Sequence, residues 1–179
     1  MTINLKSCLD KSITFIKYAE LLGENSALHD RHYKNFQIPT NDIAKISTLP
    51  AVQILVITEP WCGDSLALLP IVKKISEQNK NWKLNILLRD QNTELMDKFL
   101  TKGSRAIPIF LFLDNKGDYI FHWGPRPVRA QNIFEQHRVQ LQNGEIEKSE
   151  IILKIRKYYA KDKGKETSFE LLNHIYLNM

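Results

Sequence analysis

The chain of 179 residues contains only two cysteines, Cys8 and Cys62, and no apolar run approaching 18 residues. Two cysteines are too few for the disulfide framework of a small secreted protein and are typical of a reducing compartment. The missing apolar run argues against a membrane-spanning helix, and the first residues lack the basic and apolar regions of a signal peptide. We therefore expect a cytoplasmic protein that does not bind membranes.

The sequence also lacks a strong excess of one charge. Its 25 basic and 20 acidic residues give a formal net charge of +5 and are spread along the chain. A basic stripe with interleaved aromatic residues, as in proteins that follow a phosphate backbone, is not present. We therefore expect no nucleic-acid partner. The apolar content of 43% is sufficient for a packed core and argues against intrinsic disorder.

Hydrophobic periodicity divides the chain into three sections without an internal repeat. Residues 1–50 begin with one amphipathic helix pattern, and Gly23 follows it as a plausible helix-ending residue. The apolar residues of that pattern are Leu5, Leu9, Ile13 and Ile16. Residues 140–179 are predicted to be helical, and the spacing of Thr167 and Glu170 predicts a capping box at the start of a last helix.

Between these sections, residues 51–139 alternate strand and helix patterns. Near-continuous apolar runs are typical of central strands covered by helices on both faces. The predicted order is strand, helix, strand, helix, strand, strand, helix. The predicted strands lie at residues 51–58, 82–88, 108–113 and 118–123, and the first two helices end near residues 78 and 100.

Cys62 lies where the first of these strands ends and a helix begins. The free N–H groups and positive dipole of a helix N-terminus favour a thiolate, so the position predicts thiol–disulfide exchange. Asp64 opposes the thiolate and the Ser65 hydroxyl favours it, and the sequence alone does not give the sign of their sum. For a working nucleophile we expect a pKa below the free value of about 8.5.

The central section resembles the thioredoxin superfamily, and its last part is similar to a bacterial thioredoxin-like subfamily. The matching pieces are Trp61-Cys62-Gly63-Asp64-Ser65, Pro70, Ile107-Pro108, Gly117 and Trp123-Gly124-Pro125-Arg126-Pro127. The resemblance implies an α/β fold with a central mixed sheet flanked by helices and with extra N- and C-terminal helices. It implies one domain, made of an extension at 1–50, a core at 51–139 and packed helices at 140–179.

The resemblance also implies the layout of the site. Pro108 would be a cis proline facing Cys62, and the backbone of Ile107 would pair with an extended substrate peptide. Trp61, Gly63, Ile107 and Pro108 are then the candidate substrate-binding residues, and Cys62, Asp64 and Ser65 are the candidate catalytic residues. We expect no metal and no cofactor.

Two residues depart from the family pattern. Ser65 stands where a dithiol motif has its second cysteine, and Val56 stands where the resemblance places a buried acid that relays a proton. Without a resolving thiol, the mixed disulfide on Cys62 must wait for an external thiol. This predicts mixed-disulfide transfer or isomerisation with protein or low-molecular-weight thiols and disulfides, and poor net reduction. Cys8, on a helix outside the core, is expected to be buried and inert.

Three alternatives stay open at this level. The first is a redox-inactive thioredoxin-fold module that binds peptides or proteins. The second is iron–sulfur handling as in monothiol glutaredoxins, although their late Gly-Gly segment has no counterpart after Pro108. The third is that Ser65 is an engineered replacement of a cysteine.

Overall fold

A computed structural model describes residues 4–179 as five strands and ten α-helices. The strands form one mixed sheet in the order β1-β3-β2-β4-β5. Their bounds are β1 Ile13–Thr14, β2 Val52–Thr58, β3 Trp82–Leu88, β4 Ile109–Leu113 and β5 Tyr119–Trp123. The central strand β2 runs parallel to β3 and antiparallel to β4, and both β1 and β5 are antiparallel to their neighbours. The predicted α/β class with a central mixed sheet is confirmed.

The helices cover both faces of this sheet. They are α1 Lys6–Asp10, α2 Phe15–Glu20, α3 Ser26–Asn35, α4 Thr40–Thr48, α5 Gly63–Ser76, α6 Thr93–Met96, α7 Val128–Gln136, α8 Arg138–Gln142, α9 Lys148–Asp162 and α10 Lys165–Asn178. Short 3₁₀ turns occupy Gly23–Asn25 and Arg89–Gln91. Within residues 4–179, none of the helices combines the length and apolar composition needed to cross a membrane.

Two apolar clusters lie on opposite faces of the sheet. Successive side chains of a strand point to opposite faces, so β2 contributes Val56 to one cluster and Leu55 and Ile57 to the other. The larger cluster joins the sheet to α5, α9 and α10 among others. The smaller cluster joins it to α1 and α6 and includes the side chain of Cys62. Because both faces are covered, all residues of β2 except Gln53 are buried.

The predicted N-terminal helix is wrong, because the chain breaks it into α1, β1 and α2. The Ser12 hydroxyl donates to the carbonyl of Leu9 at 2.6 Å, and Thr14 Oγ1 accepts from the N–H of Lys17 at 3.3 Å, as in an N-cap of α2. Between these two turns, Ile13 pairs with Ile86 of β3. The residues of the predicted stripe therefore do not share one buried face.

The predicted capping box at Thr167 and Glu170 is also wrong. These residues lie inside α10, whose N-cap is Gly164, and a capping box instead begins α9 at Glu147 and Glu150. Gly164 has φ +83°, and a Cβ there would lie 2.7 Å from the Phe36 ring. The turn from α9 to α10 therefore requires a glycine, and it brings α10 back against the core.

The helix predicted to end near residue 100 is shorter in the structure. It ends at Met96, because the N–H groups of Lys98 and Phe99 bond carbonyls three residues back and tighten the chain into a turn. The predicted hairpin after Leu113 is present, with the carboxylate of Asp114 accepting from the N–H groups of Lys116 and Asp118. β4 and β5 are therefore adjacent in the sheet.

Candidate active site

The structure places Cys62 at the N-cap of α5, directly after the loop that follows β2. Its backbone N–H donates to the Glu59 carbonyl at 3.1 Å, and its carbonyl accepts from Leu66 at 3.0 Å as the first intrahelical bond. The thiol is 8% exposed and donates to the Ile107 carbonyl across a distance of 3.4 Å. Two of the sequence-predicted site residues, 45 positions apart, are therefore in contact.

Burial raises the pKa of the Cys62 thiol, and the Asp64 carboxylate raises it further. The Ser65 hydroxyl and the backbone N–H groups of Ser65 and Asp64 act in the opposite direction but do not outweigh burial. The expectation of a pKa below the free value is therefore wrong. The helix dipole and the Ser65 hydroxyl favour the thiolate, but a thiol inside an apolar cluster loses the water that would stabilise its charge.

The Thr58 hydroxyl orients the side chain of Ser65, which lies behind the Cys62 thiol. Ser65 is fully buried, and its Oγ accepts a hydrogen bond from Thr58 Oγ1 at 2.6 Å. An accepted bond on Oγ leaves the Ser65 hydrogen available for the sulfur, which agrees with the lowering effect of this hydroxyl on the pKa of Cys62. The sequence pattern did not indicate Thr58, which had been assigned only to the end of a strand.

Asp64 lies in a partly buried polar cluster that sequence analysis missed. Its Oδ2 accepts from Arg126 Nε at 2.8 Å and from Arg126 Nη2 at 2.7 Å, and its Oδ1 accepts from the Tyr159 hydroxyl at 2.8 Å. Burial and the Asp64 carboxylate raise the pKa of Tyr159 well above its ordinary value, so this phenol stays protonated and donates. Asp64 therefore connects the first turn of α5 to the 124–127 segment and to α9, besides opposing the thiolate.

Opposite the cysteine, the peptide bond between Ile107 and Pro108 is cis, and both residues are buried. Gly124, with φ +119°, packs directly against this segment, because a Cβ at Gly124 would lie 2.4 Å from the Pro108 carbonyl oxygen. Only glycine fits here without displacing the backbone that faces Cys62. This provides a structural reason for the glycine in the 123–127 pattern.

Trp61 and Gly63 flank the cysteine on the surface side. The Trp61 ring is 56% exposed, and the Arg89 guanidinium lies 5.0 Å from its centroid in a cation–π contact. Gly63 begins α5, and a Cβ there would lie 3.4 Å from two nitrogens of Arg156. The Arg156 guanidinium therefore lies close to the first turn of α5.

No acid occupies the strand position that the resemblance associates with proton relay. Val56 is fully buried between Ile86 and Phe110 in the sheet. The nearest buried acid along the chain is Glu59, whose Oε1 accepts from the Asp90 N–H at 2.8 Å. Glu59 thus connects the loop before Cys62 to the turn after β3.

A cleft of about 480 Å³ opens beside the cysteine, and most of its charged lining is positive. The sequence-predicted residues Trp61, Cys62, Gly63, Asp64 and Ile107 line it, whereas the buried Ser65 and Pro108 do not. Its two carboxylates belong to Asp64 and Glu135. Its seven cationic side chains are Arg89, Lys102, Arg105, Arg126, Arg138, Lys148 and Arg156. Positive charge that is spread along the sequence is therefore concentrated in space.

Comparison with known proteins agrees with the observed fold. The sequence matches a protein-family model described as Thioredoxin over residues 12–138, which is more than half of the chain. The chain therefore belongs to the thioredoxin family. No curated protein matches the sequence significantly.

Two solved structures are similar to the chain. One is a protein of unknown function from Pseudomonas aeruginosa, with 18% identity and a TM-score of 0.64, covering 91% of this chain and 99% of that one. The other is an HIV epitope-scaffold, with 18% identity and a TM-score of 0.62, covering 73% of this chain and 82% of that one. At this identity the likeness shows the thioredoxin-like fold alone.

Proposed function

We propose that the protein catalyses thiol–disulfide exchange through Cys62 as a single nucleophile. The observation that carries the proposal is the position of the Cys62 thiol, at the N-terminus of α5, against the Ile107 carbonyl and beside an open cleft. A helix N-terminus supplies N–H groups to a thiolate, and the cleft supplies room for a disulfide. Protein or low-molecular-weight thiols and disulfides are the proposed reactants.

The proposed reaction is transfer of a mixed disulfide. The Cys62 thiol first loses its proton, and its sulfur then attacks one sulfur of a substrate disulfide, so that the other sulfur leaves as a thiolate. A second thiolate attacks the sulfur of the adduct, forms a new disulfide and releases Cys62. One disulfide is consumed and one is formed, so the cycle needs no external oxidant or reductant.

The residues around Cys62 support this cycle more than a dithiol cycle. Ser65 is fully buried behind the sulfur and cannot form a disulfide, while Val56 offers no proton acceptor. The other cysteine, Cys8, is free and half-buried, not buried as expected, and it packs against the apolar cluster that contains Cys62. In the proposed cycle an incoming thiol resolves the adduct, so transfer or isomerisation is favoured over net reduction, and the Cys8→Ser variant tests whether Cys8 takes part.

A binding module without turnover is the second candidate, and one observation favours it. Because burial raises the pKa of Cys62, only a small fraction of the thiol is ionised at neutral pH in the unliganded protein. The cleft lined by Trp61, Cys62 and Ile107 would then hold an extended peptide without reaction at the sulfur. Whichever of the two functions holds, we also propose that the protein is cytoplasmic and bacterial. We propose in addition that its chain divides into an extension at 1–50, a core at 51–139 and packed helices at 140–179.

The deciding experiment supplies a small mixed disulfide and a second thiol. Turnover is measured as the release of the first thiol from the mixed disulfide. We expect activity that disappears in Cys62→Ser and persists in Cys8→Ser. Mass spectrometry of the protein isolated without reductant should show an adduct on Cys62. An inert Cys62, with neither turnover nor adduct, would refute the exchange function and leave the binding module as the remaining candidate.

A second experiment tests the role of Ser65. Replacing Ser65 by cysteine supplies a resolving thiol, so Ser65→Cys should reduce insulin disulfides faster than the unmodified protein. Ser65→Ala controls for loss of the hydroxyl without a new thiol and should not gain this activity. Equal insulin reduction by the unmodified protein and Ser65→Cys would contradict the resolving-thiol argument.

A further inference from the structure

We propose that the cleft beside Cys62 selects negatively charged low-molecular-weight thiols and disulfides. The inference rests on the proposed exchange function and adds its substrate class. The anionic group of the substrate would occupy the cationic part of the cleft while its sulfur lies at Cys62. The size of the cleft suits such a ligand, because about 480 Å³ falls within the usual range for small-molecule sites.

The charge of the cleft lining differs from that of the whole chain. The chain has 25 basic and 20 acidic residues, whereas seven cationic side chains and two carboxylates line the cleft. A pocket with an excess of one sign of charge attracts ligands of the opposite sign and speeds their association. A neutral or cationic thiol would gain nothing from this lining.

Five of the seven cations already have a carboxylate partner. Arg126 contacts Asp64, Arg89 contacts Asp90, Arg105 contacts Asp97, and both Lys102 and Arg138 contact Glu135. Within the described residues 4–179, Lys148 and Arg156 have no carboxylate within salt-bridge distance. These two side chains are therefore available to a ligand.

Arg156 is the better placed of the two. Its Nε and Nη2 atoms lie 3.4 Å from the position of a Cβ on Gly63, the residue after Cys62. The guanidinium is exposed and presents several N–H donors, which suit the two oxygens of a carboxylate or phosphate. An anion bound to Arg156 would lie beside the first turn of α5, near Gly63, the residue that follows Cys62.

The test compares two thiol reagents of similar size and opposite charge. We use 2-sulfonatoethyl and 2-(trimethylammonio)ethyl methanethiosulfonate in a Cys8→Ser background. In both reactions the Cys62 thiolate attacks the divalent sulfur of the thiosulfonate, forms a mixed disulfide and releases methanesulfinate. Because both reagents need the same thiolate, the ratio of their rates at one pH is independent of the ionised fraction of Cys62. The reference is the ratio of the rates at which the anionic and cationic reagents modify N-acetylcysteinamide, a small free thiol.

We expect the ratio of anionic to cationic reagent for the protein to exceed the reference by about tenfold at low ionic strength. Arg156→Gln should lower this ratio about three- to fivefold, the worth of one partly exposed ion pair. Arg156→Lys should retain most of it. The matched control is Lys157→Gln, which removes an exposed cation outside the cleft from the same helix and should leave the ratio unchanged. Salt at about 1 M should bring all ratios to the reference.

The outcomes separate the two proposals. A protein ratio equal to the reference, or an equal loss in Arg156→Gln and Lys157→Gln, would overturn the selection of anions while leaving the exchange function intact. A Cys62 inert toward both reagents would overturn the exchange function and, with it, this inference. A ratio that falls only in Arg156→Gln would support both.

Discussion

Replacing Tyr159 by phenylalanine tests the partly buried cluster of Asp64, Arg126 and Tyr159 at the first turn of α5. The change removes only the hydroxyl, which donates to Asp64 Oδ1 at 2.8 Å, and keeps the ring of a residue that is 3% exposed. A hydrogen bond to a charged acceptor contributes about 1.5 to 3 kcal/mol. We expect the free energy of unfolding to fall by about that amount, with little loss of packing.

The adjacent residue supplies a matched control. The Tyr158 hydroxyl donates to Glu166 at 3.3 Å, with Glu166 exposed to solvent, so Tyr158→Phe should change stability by less than about 0.5 kcal/mol. The assay is urea unfolding followed by tryptophan fluorescence and by circular dichroism. With an m-value of about 2 kcal/mol/M, Tyr159→Phe should lower the midpoint by about 0.75 to 1.5 M with m unchanged.

The reasoning fails if Tyr159→Phe and Tyr158→Phe shift the midpoint equally. That result would mean that Asp64 gains no more from the buried phenol than Glu166 gains from a hydroxyl at the surface. A second refuting result is a large loss of stability accompanied by a changed m-value, because the hydroxyl would then be maintaining compactness and not one hydrogen bond.

Three further predictions concern the site and its support. The pH profile of Cys62 alkylation should have its midpoint above that of a free thiol because of burial, and Asp64→Asn should lower this midpoint; an unchanged midpoint would refute the coupling. Because folding raises the pKa of Cys62, the thiol of the unfolded chain ionises first as pH rises, and the free energy of unfolding should decline above about pH 8.5. Cys62→Ser should reduce this decline, as measured by urea titrations just above that pH. Gly124→Ala should destabilise the folded protein by about 2 to 4 kcal/mol, because its Cβ would lie 2.4 Å from the Pro108 oxygen. The control Gly103→Ala, with open space around its Cβ, should cost about 1 kcal/mol. Equal losses of stability in calorimetry would exclude the steric argument.

The sequence alone was sufficient for the sheet class and for the position of Cys62 at a helix N-terminus. Apolar runs such as residues 52–58 and 109–113 indicate buried strands because burial on both faces selects apolar side chains at every position. The helix start after Cys62 follows from a strand-to-helix change in periodicity, which is a local signal. These features need no knowledge of distant residues.

Local patterns misled where tertiary contacts competed with them. The stripe from Leu5 to Ile16 has helical spacing, but pairing of Ile13 with β3 and the cap at Thr14 break the helix. The spacing of Thr167 and Glu170 resembles a cap, but Glu170 accepts from the indole N–H of Trp123 at 2.9 Å inside a continuing helix. In both cases a partner distant along the chain decided the local structure.

The electrostatics of the site came only from the tertiary structure. Arg126 lies 62 positions and Tyr159 lies 95 positions from Asp64 in the chain, yet both bond its carboxylate. Burial of Cys62 also depends on packing against residues of other strands and helices, which reversed the expected direction of its pKa shift. Periodicity reports which residues are buried, but not which charged groups meet, because charges distant in sequence converge only when the sheet and its helices assemble.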